Sequence, residues 1–482
     1  MKTRGVVFGL AWLLLGLLSC ANETVEVCEA ELEDGLTSSR RGAVVNATIH
    51  AWDSYKRYAW GLDELKPVSR SGVNTFSGMG ITILDSLDTL YMMGLESRFE
   101  EAREWVATEL SFESVGIVSV FETTIRALGG LLSAYEQTGD EIFLEKAEDL
   151  GNRLSVAFED SAIPKPRCSL SSRTCPKYLE TDESLLAEVG TLQMEFHKLS
   201  RLSKDKHLRT LGRKTLDYVR RLGSSMQPEH NGVPPSVVRI DDASFTGDRR
   251  TFGAPSDSFF EYLPKMWVLM RKRDDFLRDM FRASVRGLAD FLIAAPDVGV
   301  MVRDQIHGVF LDRMEQFTCY IPGMLILGID AAESETERRE WEILAANITK
   351  TCAAFFTHGS RGLAGELLYT RDGKVQVTPG YELRPESVEA LFYMWRHTKD
   401  PIYRDMAWQI FQSIDTHCRL DVGYSAVAFV KDKYEPRDVM HSFFIAETLK
   451  YLFLIFSDDH VLELDSSVLN TEAHPLKVDV DP

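Results

Sequence analysis

The stretch FETTIRALGGLLSAYEQTGDEIFL, residues 121–144, decides the fold. From Thr123 to Tyr135 its apolar residues recur at three- and four-residue spacing, which predicts a helix with one buried stripe. Thr138-Gly139-Asp140 breaks that pattern, and Ile142-Phe143 anchor a second helix directly behind it. Asp140 supplies N-cap chemistry, because a short carboxylate can accept from the free N–H groups of a first turn. The stretch is therefore a helical hairpin.

The same punctuation returns along the chain. Gly94-Leu95-Glu96-Ser97 precedes Phe99, Ser203-Lys204-Asp205 precedes Leu208, Arg273-Asp274-Asp275 precedes Phe276-Leu277, and Thr398-Lys399-Asp400 precedes Ile402-Tyr403. Weaker breaks fall near Ser334 and Ser457. They lie mostly roughly 60–70 residues apart, the length of a helix pair. Apolar helical periodicity also marks Ile81–Met93, Leu185–Leu199, Tyr262–Met270, Val388–Trp395 and Phe443–Phe456, while strand-like alternation is confined to short stretches such as Lys374–Val377. Seven hairpins without an internal linker predict an all-α chain closed into one toroid, an (α/α)7 barrel; an open helical solenoid is the alternative. The loops Pro228–Pro235 and Thr246–Pro255 are too short to be linkers and belong at one end of the barrel.

The chain has 482 residues, with 54 Lys+Arg against 73 Asp+Glu and a net charge of −19. Hydrophobic residues at 44% and charged residues at 26% exclude a disordered chain. The acidic balance argues against nucleic-acid binding, which needs basic surface to displace counterions. At the N-terminus, Met1-Lys2-Thr3-Arg4, an apolar run from Val6 to Leu18 and Ser19-Cys20-Ala21 resemble a secretory signal peptide. The run is shorter than the about 20 residues that span a bilayer. An uncleaved anchor is the alternative, and Leu17-Leu18-Ser19-Cys20 also resembles a lipoprotein site. The expected organisation is 1–21 signal, 22–44 N-terminal segment, 45–475 barrel and 476–482 tail. Sequons at Asn22, Asn46 and Asn347 suit an exported glycoprotein, and the last residues, Asp479–Pro482, carry no ER-retrieval signal. Six cysteines remain after Cys20, at 28, 168, 175, 319, 352 and 418. An even number permits disulfides in several pairings, and Cys168 and Cys175 bracket a short polar loop that suits a local pair. Neither CxxC nor His-rich spacing for structural zinc is present.

Several acids open apolar helices instead of lying on outer faces. Glu122 precedes Arg126 by one turn, Asp257 begins Asp257-Ser258-Phe259-Phe260-Glu261, Glu386 precedes Glu389, and Glu447 follows Phe443 by one turn. Each by itself reads as a first-turn carboxylate meeting the helix dipole. Closure of a barrel would gather them at one cavity. Paired carboxyls suit glycoside hydrolysis, in which one protonates the leaving oxygen and another activates water. Arg126 and Arg384 can hold carboxylates or sugar hydroxyls, Phe443 can stack on a sugar face, and the cluster can hold a hard cation such as Ca²⁺.

These residues resemble a known family. Tyr58-Ala59-Trp60-Gly61 with Asp63–Pro67, Leu84–Leu90, Phe121–Arg126 with Gly129–Tyr135, Gly253–Leu263, Leu383–Glu389, His441–Phe456 and Thr471-Glu472-Ala473-His474-Pro475 run in the order of the class I α-1,2-mannosidases, glycoside hydrolase family 47. The resemblance implies an (α/α)7 barrel, a bound Ca²⁺ and inverting removal of terminal α-1,2-linked mannose from high-mannose N-glycans on glycoproteins. It implies Glu122 as general acid acting through a water, Asp257 and Glu386 as the two candidates for base, and Glu366 as a further acid of the site. It implies Thr471 as direct Ca²⁺ ligand, with Glu389, Glu447 and Glu472 holding the ion's waters, and a Cys319–Cys352 disulfide. That pair is typical of the trimming enzymes and missing from the lectin-like branch. A secretory-pathway monomer, in the ER or Golgi lumen or secreted, is expected.

Two departures stand out. Gln316, a substrate-binding candidate, occupies a position where many relatives have His, and Gln cannot become cationic. Pro255 stands where single-branch ER enzymes carry Arg. The rival reading is a glycoprotein-binding quality-control factor of the same fold with little hydrolytic activity. It predicts a broken acid set or no Cys319–Cys352 pair.

Overall fold

The computed structural model describes residues 25–159, 161–176, 182–295, 297–430 and 433–480. The signal-peptide segment, Cys20 and the Asn22 sequon lie outside the described residues.

The predicted hairpins form. Seven outer helices are α1 (Val25–Ala59), α3 (Glu96–Thr108), α5 (Glu141–Leu154), α7 (Lys206–Ser225), α9 (Asp275–Leu288), α11 (Glu335–Thr357) and α13 (Pro401–His417). They alternate with seven inner helices, α2 (Ile81–Met92), α4 (Gly129–Thr138), α6 (Gln193–Leu202), α8 (Asp257–Leu269), α10 (Ile321–Leu327), α12 (Glu386–Thr398) and α14 (Lys450–Ile455). Each inner helix packs on the next, and α2 closes the ring against the π-helical turn Phe444–Leu449 that leads into α14. The fold is an (α/α)7 barrel. Helix α1 is continuous through residues 44 and 45.

The polar breaks are the inner-to-outer turns. Asp140, Asp205, Asp274, Asp400 and Ser334 each accept from a first-turn N–H of the following outer helix. A cap of this kind is worth about 1 kcal/mol, and it sets where the outer helix begins. Gly139 ends α4 at φ 72°, a left-handed conformation that costs glycine nothing. Inner helices are apolar nearly all round because they are covered on both sides: α8 buries eleven of its thirteen residues. Gly130 lets α4 approach α2, since a Cβ there would stand 2.3 Å from Leu84 O.

Strands are short antiparallel pairings in the loops, some of them hairpins such as Leu367–Arg371 with Lys374–Val377. The C-terminal hairpin, Ser467–Leu469 against Pro475–Lys477, matters most. Its tip, residues 470–474, is buried among the inner helices. Asn470 Nδ2 donates to Ile125 O (2.9 Å) and Glu195 Oε1 (2.8 Å), Lys450 Nζ donates to Ala473 O (2.7 Å), and His474 lies between Asp88 (2.7 Å) and Asp85 (3.2 Å). Burial pushes Asp88 up, but Lys450 and His474 outweigh it and hold the carboxyl at about 2. A tip gripped by α2, the segment before α4, α6 and α14 is fixed at the barrel axis.

Among the described residues, two disulfides form. Cys319–Cys352 (Cα–Cα 5.8 Å) joins the turn before α10 to its outer partner α11, and Cys168–Cys175 closes the local loop. Cys418 is a buried free thiol.

Candidate active site

Glu122, Asp257 and Glu386 stand at the N-terminal ends of the segments leading into, or forming, α4, α8 and α12. Their helices alternate round the ring with α6 and α10, so their side chains converge on one cavity of ≈ 300 Å³. Arg126, Arg384, Phe443, Glu389, Glu447, Thr471 and Glu472 line it too. A larger groove, ≈ 850 Å³, opens at the opposite end of the barrel among Arg271, Asp330, Arg396 and Asp459. Its Lys272–Asp330, Lys399–Asp459 and Arg396–Asp459 ion pairs are satisfied by one another, so volume alone does not locate the chemistry.

Two π-helical turns aim side chains into the cavity. Thr123–Leu128 carries Arg126, and Phe444–Leu449 carries Glu447. A π-turn holds an extra residue and rotates the next turn of the helix, a device that recurs at functional sites. Ser119 caps the turn before the first, accepting from Glu122 N at 3.3 Å. Arg126 Nε donates to Glu122 Oε2 at 2.8 Å, and Arg126 Nη1 donates to Glu472. Burial opposes the charge of Arg126, yet Glu472, Glu122, Asp85 and Glu447 hold it firmly protonated. Phe443 lies under that guanidinium (5.8 Å) and stacks on His441 (4.8 Å between centroids, 22°).

Eight carboxylates line the cavity against two guanidiniums. Burial pushes Asp257 up to about 7, with Glu261 and Glu315 adding to it and the Ser258 N–H opposing. Burial likewise pushes Glu386 to about 7 against Arg384, and Glu389 to about 8 against Lys265. Glu447 and Glu472 are raised well above the ordinary range, first by burial, despite Arg126. Glu386 Oε2 is buried without a hydrogen-bond partner. Among the described residues, no three His, Cys, Asp or Glu side chains converge closely enough to chelate an ion directly.

Two of the predicted site residues do not line the cavity. Both oxygens of Glu366 accept from Arg384 Nε (3.0 and 2.8 Å), so it meets the cavity only through that guanidinium. Gln316 is fully buried, and both amide atoms lack partners. Sequence reasoning missed Glu188, which accepts from Ser184 Oγ at 3.0 Å and lines the cavity with Phe317 and Tyr320. It also passed over Glu261 and Lys265. Their signal was present, since Asp257, Glu261 and Lys265 are spaced i, i+4, i+8 on one helix face.

An (α/α)7 barrel whose cavity combines clustered carboxyls, two guanidiniums and aromatic rings in its lining is the architecture of a carbohydrate-processing enzyme. The profile of glycosyl hydrolase family 47 matches residues 47–478, and the chain belongs to that family. It is 39% identical over 465 residues to the Arabidopsis thaliana mannosyl-oligosaccharide 1,2-alpha-mannosidase MNS1, covering 95% of this chain and 82% of that protein. It is 40% identical over 456 residues to the Homo sapiens endoplasmic reticulum mannosyl-oligosaccharide 1,2-alpha-mannosidase, covering 91% of this chain and 64% of that protein. The solved structure of an alpha-1,2-mannosidase from Trichoderma reesei superposes with a TM-score of 0.83 at 26% identity, covering 92% of this chain and 99% of that one.

Proposed function

We propose that this protein is an inverting glycosidase that removes terminal α-1,2-linked mannose from high-mannose N-glycans. The observation that carries the reading is the convergence of Glu122, Asp257 and Glu386 from three inner helices on one cavity that Phe443 also lines. Glu122, paired with Arg126, is assigned as the acid that delivers a proton to the leaving oxygen. The base takes a proton from the water that attacks the opposite face of the sugar. Asp257 and Glu386, both near 7, are suited to accept a proton at neutral pH. Glu386 has the stronger claim, because its Oε2 is unpartnered while Asp257 Oδ1 accepts from Ser258 N at 2.9 Å. Phe443 is assigned to the sugar's C–H face and Arg384 to its hydroxyls, with Glu366 holding that guanidinium in place.

The residues fit a calcium ion. The Thr471 hydroxyl and the buried Glu389, Glu447 and Glu472 offer only hard oxygen donors, and among the described residues the cavity lining contains neither sulfur nor imidazole. The carboxyls there, strained towards protonation by burial, are what a cation would relieve. Thr471 would hold the ion and the three glutamates its waters; bound there, it would supply positive charge to sugar hydroxyls. The Cys319–Cys352 pair and the unbroken acid set favour catalysis over the binding-only reading.

Pro255 lines the cavity and has no side-chain donor. The nearby arginines are committed elsewhere: Arg249 to Glu315 (2.8 Å), and Arg250 to Val233 O (2.6 Å) and Gln305 (3.1 Å). A site whose 255 position carries no guanidinium to hold one glycan branch should trim several mannoses, towards a five-mannose product. We take residues 45–475 as the catalytic barrel and place the monomer in the secretory route. No helix among the described residues is long and apolar enough to cross a membrane.

Digestion of a nine-mannose glycan, with and without EDTA, tests the reading. Sequential loss of mannose to five, abolished by EDTA and restored by Ca²⁺, is expected. Lack of release from α-1,2-linked termini would refute the activity, and a resistant eight-mannose isomer would refute the broad specificity.

A further inference from the structure

Lys265 is an ammonium at the heart of the barrel, 1% exposed, and it does not itself line the cavity. Its Nζ donates to Glu261 Oε1 and to Asn470 O (3.1 Å), and it lies 3.8 Å from Glu389 Oε1. The other oxygen of Glu261 accepts from Thr471 Oγ1 at 2.7 Å. Tyr262, next on the helix, accepts from Thr471 N at 3.3 Å and donates to Glu195 at 2.6 Å. One helix, α8, thus fixes both the backbone and the hydroxyl of Thr471.

The direction of these bonds matters. Lys265 can only donate, so Glu261 accepts on one oxygen. Thr471 has a single hydroxyl hydrogen, and giving it to Glu261 leaves both lone pairs of Oγ1 free on a residue that lines the cavity. A hydroxyl free to rotate would present its hydrogen there part of the time. We infer that Lys265 is a positioning residue: acting through Glu261, it orients the Thr471 hydroxyl so that the cavity receives an oxygen lone pair and is thereby set to bind calcium. This rests on the calcium reading above and concerns residues that reading leaves without a role.

A plain counter-ion role predicts the opposite outcome. If Lys265 only balanced charge, its removal would leave the cavity more negative and Ca²⁺ would bind more tightly. If Lys265 orients Glu261, Lys265→Met frees that carboxylate to turn from Thr471, and affinity falls. Loss of a group that orients a metal ligand typically costs roughly 10–100-fold in affinity.

The experiment is calorimetric titration of CaCl2 into chelator-stripped full-length protein, for wild type, Lys265→Met, Glu261→Gln and the double variant, with circular dichroism to verify folding. Wild type that binds no Ca²⁺ would overturn the calcium reading itself. Wild-type binding with Ca²⁺ held as tightly or more tightly by folded Lys265→Met would overturn this inference alone. Should Lys265→Met not fold, Glu261→Gln decides. Its amide can accept from Lys265 with its oxygen and donate to Thr471 with its nitrogen, turning the hydroxyl hydrogen into the cavity, so a similar loss is expected. Unchanged affinity there would equally overturn the idea. In the double variant the loss should match the larger single loss, because both act through one chain of bonds; a product of the two losses would show independent action and refute the relay.

Discussion

Chelator-stripped protein should lose stability as pH rises from about 5.5 to 8. Glu386, Asp257 and Glu389 line the depth of the cavity, Glu389 buried and the other two largely so, and burial moves them to about 7, 7 and 8. In the unfolded chain they ionise near the ordinary carboxylate value of about 4. Between those limits the folded protein therefore binds more protons than the unfolded chain, and the linkage relation makes stability fall as pH rises. For Glu386 the shift from 4.5 to about 7 corresponds to about 3 kcal/mol at pH 8. The three costs do not add in full, because each ionisation raises the next. At roughly 2 cal/mol/K per residue, a barrel of this size changes melting temperature by about 1 °C per kcal/mol. A fall of about 5 °C is expected by scanning calorimetry, and saturating Ca²⁺ should flatten it. His441 and His474, held above their ordinary value by acidic neighbours against burial, lose stabilisation in the same direction, so the carboxyl share must be isolated. Glu386→Gln, which cannot ionise, should remove part of the slope. Asp85 and Asp88, held low by His474, Arg126 and Lys450, contribute stability lost only on acidification below that window. A melting temperature that is flat or rises with pH in EDTA, or an unchanged slope in Glu386→Gln, would refute the reasoning.

Glu122→Gln should keep the melting temperature and lose roughly 10²–10⁴ in kcat, the usual share of acid catalysis; near-wild-type turnover on a mannose disaccharide would remove the assignment. Reducing Cys319–Cys352, or replacing both cysteines by Ala, should lower stability by about 3–4 kcal/mol on the chain-entropy model, read as an earlier denaturant midpoint; an unchanged midpoint would show the bond is idle. Phe443→Ala should raise KM more than it lowers kcat if the ring provides a stacking floor, and equal falls in kcat and kcat/KM would place its effect in the transition state instead.

Local signals determined the barrel. The capping aspartates at 140, 205, 274 and 400 write the inner-to-outer turns into the sequence, because an N-cap acts within three residues of itself. Apolar periodicity marked the inner helices for the same reason, as a stripe is a property of one segment. The acids at helix starts were visible too, and ring closure explains why alternate helices bring Glu122, Asp257 and Glu386 to one rim. Only the tertiary structure decided what faces the cavity. Gln316 and Glu366 lie in segments that read as site residues, yet Gln316 turns into the core and Glu366 is taken up by Arg384. The π-turns that aim Arg126 and Glu447 add one residue to a turn without leaving a sequence mark. Glu261 and Lys265 show the rule most plainly. Their spacing on α8 was legible, but their purpose depends on a hairpin more than two hundred residues later whose tip enters the barrel, and no local pattern encodes a contact across that separation.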